Sequence, residues 1–148
     1  MTAQVTGDFS KAKELIEKLK ASSQKAVYVG FPAEFNEKVD GSDSFNLASL
    51  AAVLEFGNER IPSRPFLRQT LAENQKKYIE LFAELINKGF SIEQAYQQIA
   101  LIAQGDVQQG IVNGDWVANA KSTIKRKGSS KPLIDTGKMR QSVRGIVK

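Results

Sequence analysis

The stretch Asn46-Leu47-Ala48-Ser49-Leu50-Ala51-Ala52-Val53-Leu54-Glu55-Phe56-Gly57, followed by Ile61-Pro62-Ser63-Arg64-Pro65-Phe66-Leu67-Arg68, decides the architecture. Asn46 is an N-cap residue type, Leu47, Leu50, Ala51 and Leu54 share one face, and Gly57 stands at a C-terminal cap position. A helix therefore runs through Phe56. Pro62 and Pro65 make a stiff elbow, and Pro65 fits the first turn of the next helix. Leu67, Leu71, Asn74, Tyr78, Leu81, Phe82 and Leu85 keep helical spacing until Gly89. This predicts one long helix from Pro65, about 22 residues and ~33 Å in length. Phe66 and Leu67 are expected to be buried where it begins, against Leu50, Leu54 and Phe56.

Upstream, Phe9, Ala12, Leu15, Ile16 and Leu19 form an apolar stripe, so a helix is expected over about residues 9–21, with Asp8 capping its start and Ser22-Ser23 ending it. Lys25-Ala26-Val27-Tyr28-Val29-Gly30-Phe31 is rich in β-formers and closed by Pro32, the pattern of a strand. Residues 33–44 are polar and broken by Asp40-Gly41, the pattern of a mobile loop or an irregular hairpin tip. Downstream, Ser91-Ile92-Glu93-Gln94 has capping-box spacing and opens a helix with Ala95, Ile99, Ile102, Val107 and Ile111 on one side. Gly105 and Gly110 weaken the second half of that helix, which is expected to kink or end early. After Asn113-Gly114 the chain becomes short-segmented, basic and turn-rich. A helical turn or two is expected around residues 119–125, a short helix at 137–142 capped by Thr136, and a final strand over 142–147. The sum is α+β: several helices, one of them long, packed with a small, mostly antiparallel sheet. One domain, 1–148, is expected, with a basic turn-rich C-terminal segment at 115–148.

Composition narrows the function. The chain has 148 residues, 41% apolar and 25% charged, with no cysteine and no histidine. Disulfides, thiolate nucleophiles and cysteine-ligated metals are excluded, and so are the commonest general base and the commonest metal ligand. That disfavours an enzyme, and no cofactor motif is present. No apolar run approaches the ~20 residues of a membrane span. The first residues, Met1 to Asp8, lack the basic and apolar regions of a secretory signal, so synthesis in a cytoplasm is expected.

The net charge of +5 is uneven. Residues 121–148 carry nine basic residues against the single acid Asp135, which leaves the rest of the chain mildly acidic. A basic end on an acidic body suits a polyanionic partner, either nucleic acid or an acidic protein surface; the alternative is a solvated edge that aids solubility. The segment holds no aromatic residue, so stacking on single-stranded bases is poorly supported. Arg60, Arg64 and Arg68 flank the start of the long helix, placed either to grip an acidic partner or to pair with Glu55 or Glu59.

Other motifs read as structure. Asp135-Thr136-Gly137 matches the aspartic-protease signature, but eleven residues after Gly137 leave no room for the rest of that fold. Thr136 as a cap and Asp135 as a turn residue fit better. Lys125 to Lys131 lacks the preceding strand and the Gly-Lys-Ser/Thr of a phosphate loop. Glu80 and Glu84 are one helical turn apart on a polar face, the pattern of solvated surface.

Two blocks together resemble a known family. Leu50 to Gly57 with Ile61 to Arg68 resembles the "A-x-x-x-E-F-G … I-P-x-R-P-F-L-R" block of small morphogenesis proteins of tailed phages. Trp116, Thr123 to Ser129, Lys131 to Gly137 and Ser142-Val143 resemble the closing block of the same proteins. The family is the neck, or head–tail joining and tail-completion, group of lambdoid and Mu-like phages and prophages. This sequence departs from it in having Val117-Ala118-Asn119-Ala120 where the family has a Pro-rich stretch.

The resemblance implies a structural, non-enzymatic virion protein made in the host bacterial cytoplasm and located in the neck. It would form a ring with itself, a hexamer first and a dodecamer second. Its neighbours would be connector or portal-adaptor and tail proteins, with non-specific contact to packaged DNA in the channel and no membrane. On that reading Glu55, Phe56, Gly57, Pro65, Phe66, Leu67, Trp116, Asp135, Thr136 and Gly137 are structural motif residues. Arg60, Arg64, Arg68, Lys125, Arg126, Lys127 and Lys131 are the candidate assembly interface. The competing reading is a small basic nucleic-acid-binding regulator, although no basic recognition helix stands out.

Overall fold

The computed structural model of the chain describes residues 7–39, 42–135 and 137–148. Helices α1 (Ser10–Ser22), α2 (Leu47–Phe56), α3 (Phe66–Glu73), α4 (Gln75–Asn87), α5 (Ile92–Asn113), α6 (Lys121–Lys127) and α7 (Lys138–Ser142) accompany strands β1 (Val27–Gly30) and β2 (Arg144–Val147). The class is α+β, as expected. β1 and β2 pair antiparallel, from Val27 opposite Val147 to Gly30 opposite Arg144. A pair of strands alone is marginal in water, and this one is laid on α5, which also packs against α1, α3, α4 and α7.

α5 is built for that role. Ser91 and Gln94 form the reciprocal capping box at its start. Ile92, Ala95, Ile99, Ala100, Ala103, Val107 and Ile111 are buried along it. The alanines on this stripe allow close approach of β2: a Cβ on Gly145 would overlap the Ala100 carbonyl, and Gly145 N donates to Gln104 Oε1 at 3.0 Å. Ile102 lies off the stripe, 38% exposed. The principal core gathers Leu47, Ala51, Phe66, Val107, Ile111, Leu133, Met139 and Val143, from α2, α3, α5 and the C-terminal segment.

The expected long helix from Pro65 is divided at Asn74. The backbone there leaves helical geometry (φ −99°, ψ 3°), and Asn74 Nδ2 donates to the Thr70 carbonyl at 2.8 Å. An Asn side chain competes for helical carbonyls in this way, which is the physical reason for the break. The long helix is α5 instead, with 22 residues, spanning ~33 Å. Neither Gly105 nor Gly110 ends it, because the buried face outweighs a penalty of ~1 kcal/mol per glycine.

The two glycines should respond oppositely to substitution. No atom lies within 4 Å of a Cβ built at Gly105, whereas one at Gly110 would sit 2.5 Å from Thr70 Oγ1 on the buried side. Gly105→Ala should stabilise by about 0.5–1 kcal/mol. Gly110→Ala should destabilise, because Thr70 is buried and stiff at χ1. Urea midpoints of the two variants check both signs.

Elsewhere the local signals hold. Asp8 Oδ1 accepts from Ser10 N at 2.9 Å at the start of α1. Asn46 Oδ1 accepts from Ser49 N and Asn36 Oδ1 from Ala48 N, each at 2.9 Å, so two asparagines cap α2. The region expected as a loop or hairpin tip contains a 3-10 turn at Ala33–Phe35 and an antiparallel bridge between Lys38 and Asn46. Asp40 and Gly41, and the expected cap Thr136, lie outside the described residues. α7 begins after Gly137, at φ 81°. Among the described residues no helix is long and apolar enough to cross a membrane.

Candidate functional site

Glu55, in the last turn of α2, has its side chain only 3% exposed. Its Oε2 accepts from Leu67 N and its Oε1 from Arg68 N, both at 2.9 Å. The N-terminal N–H groups of a helix lack partners within it, and the ring of Pro65, the residue before α3, carries no acceptor to supply one. Glu55 fills that need from the preceding helix, where its charge also suits the helix dipole. Arg68 Nε closes on Glu55 Oε1 at 2.9 Å. Of the two expected pairings for the arginines, this is the one formed.

The elbow between α2 and α3 is held by the same economy of groups. Gly57 adopts φ 71°, and a Cβ there would stand 2.7 Å from Ser63 N and 2.8 Å from Ile61 O. Asn58 Oδ1 accepts from both Arg60 N and Ile61 N at 2.9 Å. Arg64 N returns to Leu54 O at 2.7 Å. Phe66 is fully buried at the elbow, as expected, with Leu50, Leu54 and Leu67 packed partly buried against its cluster. Phe56 does not join them. It is 65% exposed, with the Arg68 guanidinium 4.8 Å above its ring, because two residues place it about 200° around α2 from Leu54, on the opposite face.

Arg64 departs most from expectation. It is buried and pairs with neither Glu55 nor Glu59. Its Nε donates to Val117 O at 2.7 Å, and its Nη2 to Ala118 O and Asn119 Oδ1, each at 3.2 Å. Burial pushes its pKa down, yet a guanidinium stays charged, and three acceptors compensate its desolvation. The residues it grips belong to the stretch Val117-Ala118-Asn119-Ala120 that leads into α6. Arg64 thus ties the elbow to the C-terminal segment, and Trp116 Nε1 ties that segment to α5 through Gly110 O at 2.9 Å.

The junction encloses a groove of about 310 Å3. Its floor is apolar, with Leu47, Leu50, Leu54, Leu133 and Met139, and Arg60, Arg126, Lys127 and Lys138 stand around it with the single acid Asp135. Leu133 is buried with φ 62°, a left-handed conformation that strains a residue of its kind. Lys127 is half-buried, its Nζ donating to Lys131 O at 3.0 Å. Burial lowers its pKa, the Asp135 charge opposes that shift, and Arg64 and Arg126 reinforce it.

The seven candidate interface residues therefore divide. Arg60, Arg64, Arg126 and Lys127 converge on the groove. Arg68 faces Glu55 and Phe56, and Lys125 and Lys131 are exposed outside the groove lining. Lys138 was missed by sequence reasoning; its place directly after Asp135-Thr136-Gly137 was the available signal. Leu47, Leu50 and Leu54 carry only the spacing of a core face in the sequence, yet they also form the floor. Chemically the arrangement is a groove that is apolar beneath and cationic above.

A second feature lies at the other end of the chain. Phe9, directly before α1, and Leu15, Ile16 and Leu19 on it are each about half exposed, and no residue of α1 is buried. Exposed apolar stripes of this kind mark interaction surfaces. Compared with known proteins, the chain matches no family model, no curated protein and no solved structure.

Proposed function

We propose that this protein is a structural subunit of a tailed-phage virion, which assembles into a neck ring joining the head to the tail around the DNA exit channel. The observation that carries the reading is the Arg64 junction. The two blocks that resemble the neck family are more than 45 residues apart in sequence, and Arg64 of the first bonds to Val117, Ala118 and Asn119, which follow Trp116 of the second in the stretch where this sequence departs from the family. A motif pair that meets in three dimensions behaves as one unit, which is what a shared structural role requires. The half-exposed apolar stripe of α1 supplies a face for contact between copies, as a closed ring needs.

The test is the copy number of the protein in purified particles, measured against a tail protein of known number. A hexameric complement is expected, a dodecameric one second. Absence from particles, or a copy number unrelated to sixfold symmetry, overturns the proposal. If the protein instead stays off particles and binds free duplex DNA with affinity falling steeply in salt, the regulator reading replaces it.

A further inference from the structure

We infer that the groove between the α2–α3 elbow and the C-terminal segment is a docking site for an extended acidic peptide segment with apolar anchors, contributed by a different protein. The inference deepens the connector reading by giving the chemistry of a neighbour, and it rests on that reading only for the source of the segment.

The floor comes first. Leu50 and Leu54 are only partly buried, so apolar side chains from outside can complete a layer that the chain leaves open. A volume of about 310 Å3 is at the small end of ligand sites, suited to a few side chains rather than a folded face. The rim supplies the charge preference. Arg64 is spent on carbonyls and Lys127 on Lys131 O. Arg60 and Arg126 line the groove, are exposed, and make no ion pair among the described residues. Two guanidiniums over an apolar floor match carboxylates flanking apolar anchors, and guanidinium–carboxylate pairs can be bidentate.

Two other occupants fit less well. α1 of a second copy has the apolar stripe, but its Lys11, Lys13, Lys18 and Lys20 outnumber Glu14 and Glu17, so it would bring like charge to the rim. A nucleic-acid backbone would satisfy the arginines and leave the leucine floor without a partner. The groove lining also contains no aromatic platform for a base.

The experiment selects displayed random dodecapeptides on the purified full-length protein, in parallel with an Arg60→Glu/Arg126→Glu variant. Both side chains are exposed, so the variant should keep the wild-type melting temperature. Peptides enriched on the wild type should combine Asp or Glu with Leu, Ile or Phe. A fluorescein-labelled peptide made from that consensus should bind the variant at least tenfold more weakly, and the wild type more weakly with added salt. Enrichment without acidic bias, or equal binding to the variant, overturns the inference. So does displacement of the peptide by a duplex DNA oligomer whose own binding needs Arg60 and Arg126, which would make the groove a phosphate site. Loss of self-association in the variant would make it a contact between copies and overturn the inference likewise. Peptide binding by the isolated protein and copy number in particles can each fail without the other, so the two proposals are tested separately.

Discussion

Replacing Phe66 by Ala should lower stability by about 3–5 kcal/mol, enough to remove much of the folded yield of a domain whose total is of order 5–15 kcal/mol. Phe66 is fully buried in the cluster that unites Leu47 and Ala51 of α2, Val107 and Ile111 of α5, and Leu133, Met139 and Val143 of the C-terminal segment. Packed parts of several elements relax only partly into the space that a ring at their centre would leave. The loss then contains both a transfer and a cavity contribution. Urea denaturation should show a lower midpoint with little change in slope, the mark of altered stability rather than altered compactness. Phe66→Leu keeps more of the volume and should cost clearly less. A Phe66→Ala variant that melts at the wild-type temperature would mean that the ring is not the centre of this core. Because Leu47, Leu133 and Met139 belong both to the cluster and to the groove floor, the destabilised variant should also lose the groove.

The features legible in the sequence are those whose chemistry is local. Asn46 and Ser91 find their N–H partners three residues away, and Gly57 turns the chain where it must, so α2 and the start of α5 follow from short-range rules. Phe66 was legible because it is a large apolar side chain at the start of a helix that a proline elbow turns back beside Leu50 and Leu54 of the helix before. The division at Asn74 was signalled by a polar residue standing in an apolar stripe, but spacing alone gave no reason to weigh its side chain above the leucines around it.

The site was harder to read. Charge suggests carboxylate partners for an arginine, whereas the acceptors of Arg64 are two backbone carbonyls and an amide more than fifty residues away. Carbonyls carry no sequence signature, so only the tertiary placement of Val117 to Asn119 selects them. Arg126 and Arg60 reach the same groove for the same reason: the Arg64 junction decides what lies opposite what. It also explains why consecutive Lys125, Arg126 and Lys127 are not equivalent. Lys125 is exposed away from the groove, Arg126 stands on its rim, and Lys127 leans inward to hold the loop at Lys131. Reversing all three charges would therefore disturb the loop as well as the surface, which is why the docking test uses Arg60 and Arg126.

Glu55 separates capping from ion pairing, and its variants should rank in a way that surface electrostatics does not produce. Removing its carboxylate by Glu55→Ala leaves Leu67 N and Arg68 N without their acceptor at a buried helix start. At ~1–3 kcal/mol for each unsatisfied buried group, and allowing for partial access of water, the loss should be about 2–4 kcal/mol. Glu55→Gln is the informative change. It keeps the shape, but one of the two oxygens becomes an amide nitrogen facing an N–H donor, so one helix N–H is still orphaned and the charge that suited the dipole is gone. It should recover little of the loss. Arg68→Ala removes the ionic partner and the contact over Phe56 while leaving both backbone bonds to Glu55 in place. Arg68 has a side chain 59% exposed, so that variant should cost about 1 kcal/mol or less. Chemical denaturation of the three variants gives the ranking directly. If Glu55→Gln and Arg68→Ala cost the same small amount, Glu55 acts as half of a surface ion pair, and another group must be holding the start of α3. If the ranking is as expected, the Glu-Phe-Gly and Pro-Phe-Leu-Arg blocks are physically one motif, in which the last turn of one helix supplies the N-terminal cap of the next.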